Sequence, residues 1–167
     1  MWCSNSKWVK TFLILILSFS ISVATLGQTD SGFTKKTEAK NLTVNGLKEG
    51  KWIEYITHTG GPNSLDYDDY VLTIYEKGVP VGIQRKYGNG KMLRETHYGN
   101  GKKNGIERIF YRELEEGLKS EIPYSDGVIN GEIKEYNGDG KLYSETSYMN
   151  GTKGVTTKYS KDGKEIK

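Results

Sequence analysis

The sequence is poor in the residues that usually cross-link a small domain or give it reactive chemistry. It has 1 cysteine, 3 prolines and 2 histidines among 167 residues. The single cysteine, Cys3, excludes an intramolecular disulfide, so a small fold has to form without that cross-link. The two histidines, His58 and His97, lack metal-ligand partners at suitable spacing. No set of nucleophile, base and orienting group can be assembled, so we expect no enzyme and no catalytic, cofactor-binding or metal-binding residue.

A long apolar run is missing everywhere except near the N-terminus. Residues 11–24 (TFLILILSFSISVA) follow Lys7 and Lys10 and precede small residues that end at Gly27. An apolar core of about 14 residues is shorter than the ~20 that span a bilayer, and it is typical of a secretory signal peptide. We therefore predict a signal peptide over residues 1–27. After its removal we expect an exported protein without a stable membrane span, in the periplasm, at the cell surface or outside the cell.

The chain also lacks a large excess of one charge. It carries 24 lysines and arginines against 21 aspartates and glutamates. Two of the lysines lie in the predicted signal peptide, which leaves 22 basic against 21 acidic side chains and a net charge of about +1. A nucleic-acid-binding domain carries a clear basic excess, so we expect no nucleic-acid partner.

What the sequence does contain is a repeat of glycine followed five residues later by an aromatic residue. The pairs are Gly50/Tyr55, Gly82/Tyr87, Gly105/Phe110, Gly131/Tyr136 and Gly154/Tyr159. A period of 23 to 32 residues between the glycines predicts a repeat array, in which each unit buries one face against its neighbours.

Each unit consists of short β-branched and aromatic stretches separated by glycine turns. Asn-Gly occurs seven times and Asp-Gly three times, which is a strong hairpin signal. The pattern predicts an all-β fold, an elongated single antiparallel meander sheet of about five tandem β-hairpins. We assign this repeat domain to residues 44–167. The polar residues 28–43 have no apolar periodicity and are predicted to form a flexible leader.

Alternation of side chains along a strand assigns residues to the two faces of the sheet. Thr96 and Tyr98 share one face, and Glu95 points to the other. Because neither face is a continuous aliphatic stripe, we expect rows of stacked tyrosines across strands to hold the sheet together. Pro123 removes a backbone donor, so its strand is expected to bulge there.

The units resemble the MORN-repeat variant class, a relative of the MORN (membrane occupation and recognition nexus) repeats. The shared pattern is Asn-Gly or Asp-Gly, a few residues, G-x4-Y, a tight turn and G-K-L-x-x-E-T-x-Y-x-N-G, clearest at residues 90–101 and 140–151. The resemblance covers residues 44–167. The first unit departs from it by an insertion and by Leu72, which stands where Glu95 and Glu145 stand in later units. The resemblance implies consecutive antiparallel hairpins and an antitoxin-like label, and it supplies no catalytic residues.

Glu95, Glu121 and Glu145 recur at one repeat position. We interpret them as cross-strand partners of lysine or arginine, or as acceptors of a hydrogen bond from a neighbouring turn, because a residue repeated in an array usually serves the array. The insertion between Gly60 and Tyr70 contains acidic and tyrosine residues, and we expect a solvated loop there with partner contact as an alternative.

The function predicted from the sequence is that of a non-enzymatic exported repeat protein, which binds another protein or acts as a scaffold at the cell envelope. Aromatic residues on a rigid sheet suit such an interface. The predicted partner contacts are Tyr67, Tyr70, Tyr87, Tyr98, Tyr136 and Tyr148. Two alternatives remain open, an antitoxin or immunity protein of a toxin–antitoxin pair and a carbohydrate-binding module. Weak end-to-end self-association through unpaired edges is also expected.

Overall fold

A computed structural model of the chain describes residues 32–56, 69–113 and 117–166. These residues form one open antiparallel sheet, and their only helical piece is a 3-10 turn at Lys36–Glu38. The strands are β1 Leu42–Val44, β2 Leu47–Tyr55, β3 Tyr70–Glu76, β4 Val79–Gly88, β5 Lys91–Gly99, β6 Lys102–Lys103, β7 Gly105–Phe110, β8 Leu118–Ser125, β9 Val128–Ile129, β10 Gly131–Tyr136, β11 Leu142–Met149, β12 Thr152–Tyr159 and β13 Glu165–Ile166.

The strands follow one another across the sheet in chain order, with β6 beside β5 and β9 beside β8. This confirms the predicted all-β, single-sheet meander. In the described ranges no helix is long and apolar enough to cross a membrane. The predicted signal peptide lies outside these ranges.

Five hairpin turns of one kind lie side by side at the same end of the strands. In each, a residue with φ between +47° and +51° precedes a glycine with φ between +78° and +87°, which is the type I′ geometry. The turns are Asn45-Gly46, Lys77-Gly78, Asn100-Gly101, Asp126-Gly127 and Asn150-Gly151. In the last four turns the glycine N–H donates to a carbonyl of the preceding hairpin, at 2.7–3.1 Å. Neighbouring turns are therefore fixed to one another.

The repeat glycines mark bulges inside the hairpins. Around Gly105, Tyr98 of β5 pairs with Lys103 of β6, and Glu95 of β5 pairs with Arg108 of β7. The two residues between Tyr98 and Glu95 therefore face the four residues between Lys103 and Arg108. The same mismatch surrounds Gly131, opposite Pro123. The expected irregularity at Pro123 is present, but it recurs in a hairpin without proline. The glycine bulge, not the proline, therefore interrupts the pairing, and the proline occupies a position where no ladder donor is needed.

Residues 32–43 lie on the sheet, whereas composition predicts a flexible leader over residues 28–43. Phe33 is only 3% exposed and forms the small apolar core with Tyr70 and Leu72. The Asn41 side chain accepts from the Ile53 N–H at 2.8 Å and donates to the Ile53 carbonyl at 3.2 Å. One apolar side chain and hydrogen bonds to β2 thus fix this segment on the sheet, although it has no strand-like periodicity. The segment covers the outer edge of β2.

The remaining buried positions are mostly polar and hydrogen-bonded across strands. Gln84 donates to the Thr73 hydroxyl at 3.0 Å, and the Thr96 hydroxyl donates to Glu107 at 3.0 Å. Such bonds offset the cost of burying polar groups. The sheet therefore depends on a small apolar cluster near its N-terminal end and on polar pairs elsewhere.

Candidate functional site

One face of the sheet carries a row of alternating charges, which we call the charge ladder. Its members occupy consecutive strands in direct cross-strand register: Arg85 on β4, Glu95 on β5, Arg108 on β7, Glu121 on β8, Lys134 on β10 and Glu145 on β11. Arg85 Nε lies 3.1 Å from Glu95 Oε2, and Arg108 Nε lies 3.1 Å from Glu121 Oε1. The predicted pairing of the repeated glutamates with basic residues is confirmed. Leu72 lies opposite Arg85 and begins the same row.

Two tyrosines complete the charge ladder. The Tyr136 hydroxyl donates to Glu121 at 3.0 Å, and the Tyr159 hydroxyl donates to Glu145 at 2.6 Å. The pKa of Tyr136 is raised, mainly by burial and then by its bond to Glu121. The pKa of Tyr159 is also raised, chiefly by its bond to Glu145. Both phenols are therefore neutral donors near neutral pH, and they satisfy carboxylates of the sheet.

The tyrosines that are predicted to contact a partner lie in different parts of the structure. Tyr67 lies outside the described residues, as do His58 and most of the insertion. Tyr70 is only 6% exposed and stacks on Tyr87 with ring centroids 4.9 Å apart. The Lys36 ammonium lies 4.2 Å from the Tyr70 ring centroid. Tyr70 therefore belongs to the core, and Tyr87 covers it.

Tyr98 and Tyr148 lie on the face opposite the charge ladder, each half-buried. Tyr98 pairs directly with Gly82, and Tyr148 with Gly131. Cross-strand stacking of tyrosines, expected for the sheet as a whole, is found for Tyr70 and Tyr87, whereas Tyr98 and Tyr148 face glycines. Since Tyr136 belongs to the charge ladder, the five predicted contact residues that the structure describes do not form one surface.

A different set of residues forms a groove on the face opposite the charge ladder, with a volume of about 280 Å³. We call it the basic groove. Its lining consists of Lys86, Leu93, Arg94, Ile109, Phe110, Tyr111, Arg112, Glu113 and Lys119. Among the described residues of this lining are four cationic side chains and a single carboxylate. The apolar side chains of Leu93, Ile109 and Phe110 form what we call the floor of the groove.

Register and bulges bring the groove together. Lys86 on β4 lies directly opposite Arg94 on β5, and Arg94 lies opposite Ile109 on β7. The pairing skips Leu93, which lies between the partners Met92 and Arg94, and it skips Lys119 in the same way on β8. A bulge redirects side chains locally, which explains why both skipped residues line the groove.

Three of the four cations are held by neighbours. Arg112 Nη2 lies 3.1 Å from Oδ2 of Asp69, whose side chain is fully buried. Arg94 Nε lies 3.7 Å from Oε1 of Glu107, and the Lys119 ammonium lies 5.8 Å from the Tyr111 ring centroid. Lys86 forms no ion pair with the residues that the structure describes. The groove therefore offers positive charge that the sheet only partly neutralises.

Sequence reasoning missed the groove because its cations come from separate segments. The available signal is the Asn89-Gly90 turn, about which Lys86 and Arg94 are nearly symmetric, so a hairpin register brings two like charges face to face. Lys119 gives no such signal, since its place depends on a bulge.

Comparison of the chain with models of protein families, with curated proteins and with solved structures finds no match. The resemblance to MORN-variant repeats stays a prediction. Within residues 32–56, 69–113 and 117–166, no group of three or more histidine, cysteine, aspartate or glutamate residues could hold a metal ion.

Proposed function

We propose that this chain is a non-enzymatic, exported protein-binding module, and that its sheet presents the basic groove to a protein partner at the cell envelope. The observation that carries the proposal is the groove itself, in which Arg94, Arg112 and two lysines surround an apolar floor. Arginine and aromatic residues around a desolvated apolar centre are the usual composition of protein-binding hot spots.

The rest of the sheet supports a binding role because ion pairs and hydrogen bonds connect its neighbouring hairpins. The charge ladder crosses six strands, and hydrogen bonds between successive turns fix neighbouring hairpins along one edge. A surface that is already ordered loses little conformational entropy on binding. The predicted signal peptide is the support for export and for a partner at the envelope.

The acidic side chains of the sheet have structural partners that account for them. Glu107 is 3% exposed and accepts bonds from Thr96 and Lys103, and Glu95 lies between Arg85 and Arg108. Carboxylates that are bound in this way stabilise the fold, which favours a binding function over acid–base catalysis.

The test is affinity capture from an envelope extract with the purified protein as bait. The matched baits are the wild type, the double variant K86Q/R94Q and the control K158Q, which removes an exposed cation on β12 away from the groove. We expect one protein at stoichiometric amount with the wild type and the control, and its loss with the double variant. Equal recovery with all three baits, or retention on glycan arrays without any protein partner, would overturn the proposal.

A further inference from the structure

The geometry points to the partner's chemistry: the basic groove binds an acidic polypeptide segment. The carboxylates of that segment bind Lys86 and Arg94, and its apolar side chains rest on the floor of the groove. This inference rests on the proposed function and names the class of segment that the groove accepts.

The first support is a pair of like charges where the sheet otherwise pairs opposite ones. Along the charge ladder, every charged residue faces the opposite charge, as Arg108 does between Glu95 and Glu121. Lys86 and Arg94 instead lie directly opposite each other. Like charges in that position destabilise a sheet. A carboxylate placed between them removes the repulsion, so the pair suits an anionic ligand.

The second support is the arrangement of the other two cations at the rim. Arg112 is held by the buried Asp69, and Lys119 lies beside Tyr111 at a bulge. The ion pair with Asp69 orders the Arg112 side chain before a ligand arrives, which lowers the entropy lost on binding. Arg94 keeps a side chain that is 48% exposed, and its guanidinium can receive a carboxylate through two parallel hydrogen bonds.

The apolar side chains of the floor favour a polypeptide over other anions as the ligand. Leu93, Ile109 and Phe110 offer apolar contact, which inorganic phosphate does not use. A nucleic acid needs basic surface that continues beyond one site, but the half-buried Glu135 lies on the same face on strand β10. Alternating acidic and apolar side chains match both the cations and the floor.

The test uses a fluorescein-labelled ten-residue peptide of alternating glutamate and leucine, with fluorescence anisotropy as the readout. The matched peptide carries glutamine in place of glutamate. We expect saturable binding of the acidic peptide, about tenfold weaker binding of the glutamine peptide, and about tenfold weaker binding of the acidic peptide by K86Q/R94Q. The control K158Q should stay within about twofold of the wild type. Binding of the acidic peptide should weaken as NaCl rises.

Three results would overturn the inference. They are equal affinity for both peptides, equal affinity of the wild type and K86Q/R94Q for the acidic peptide, and displacement of the acidic peptide by an oligonucleotide of equal charge or by inorganic phosphate at lower concentration. Circular dichroism checks that K86Q/R94Q keeps its fold. If K86Q/R94Q no longer captures the protein partner but the acidic peptide does not bind as expected, the inference of an acidic segment is wrong and the proposed binding module stands. If peptide binding follows the expected pattern but capture returns no protein, the module is wrong while the chemistry of the groove stands.

Discussion

Tyr148 lies directly opposite Gly131 across strands β10 and β11. Gly131 has φ +123°, and a Cβ added there would lie 3.0 Å from Cγ of Pro123. The same relationship joins Tyr75 to Gly50, Tyr98 to Gly82 and Tyr124 to Gly105. A tyrosine opposite a glycine can cover the exposed backbone of the pair. Four of the five repeat glycines therefore lie opposite a tyrosine, and at Gly131 the space of a side chain is taken by Pro123, unlike at the turn glycine Gly140.

The substitution Gly131→Ala tests this difference against a turn glycine. Gly140 also has positive φ, at +73°, but nothing lies within 4 Å of an added Cβ. We expect G131A to lower the free energy of unfolding by about 2–3 kcal/mol, since both strain and a steric contact act. G140A should cost about 1 kcal/mol, from strain alone. Urea denaturation measures both variants, and equal midpoints would contradict the assigned role of the repeat glycine.

The charge ladder predicts the effect of removing its central cation. Arg108 binds Glu95 and Glu121, whose side chains are 14% and 22% exposed. We expect R108M to lower the free energy of unfolding by about 1–2 kcal/mol, because it leaves two half-buried carboxylates short of a partner, and the 37% exposure of Arg108 limits the loss. The control K158M should change stability by less than about 0.5 kcal/mol. Thermal unfolding that shows the same loss for both variants would count against the ladder.

Docking of the N-terminal segment predicts a large effect at Phe33. Its side chain is 3% exposed within the apolar core. We expect F33A to cost about 3 kcal/mol, as for other buried phenylalanines, and the exposed neighbour variant T34A to cost less than about 0.5 kcal/mol. Chemical denaturation provides the measurement. An F33A midpoint equal to that of T34A would mean that the segment is not held by the core.

The like-charge pair in the basic groove predicts opposite effects on stability and binding. Lys86→Glu places a carboxylate opposite Arg94, so it should raise the free energy of unfolding by about 0.5 kcal/mol. It should also abolish saturable binding of the acidic peptide. Lys158→Glu is the control, because Lys158 lies opposite Ser144 on the neighbouring strand and should leave both quantities nearly unchanged. Lower stability of K86E would show that the cation at this position serves the fold.

The sequence predicts those features that depend on a single repeat unit. Glu95, Glu121 and Glu145 share one repeat position, and strand alternation places them on one face with basic neighbours, so their pairing follows from spacing alone. Asn-Gly and Asp-Gly locate four of the five type I′ turns at that end of the strands, and also the turn at Asn89-Gly90. The turn at Lys77-Gly78 was missed, because lysine rarely adopts positive φ and its value of +49° here depends on the hairpin around it.

Features that depend on several units could not be predicted. The Asn-Gly pair at Asn104 looks like a turn signal, but Gly105 lies in a bulge, since the turn at Asn100 already reverses the chain. Likewise, Lys119 reaches the groove only because the register shifts between Ile109 and Phe110. Bulges decide which side chains meet, and the sequence does not show which residue of the partner strand a bulge skips.

The most direct test of the central claim, an ordered sheet that binds an acidic polypeptide through one groove, is chemical-shift mapping by NMR. The ¹⁵N-labelled protein is titrated with the glutamate–leucine peptide. We predict that the largest shifts fall at Lys86, Arg94, Ile109 and Lys119, while strand β12 stays unchanged. Shifts spread evenly over the exposed lysines of the sheet, or centred on the charge ladder, would contradict the account.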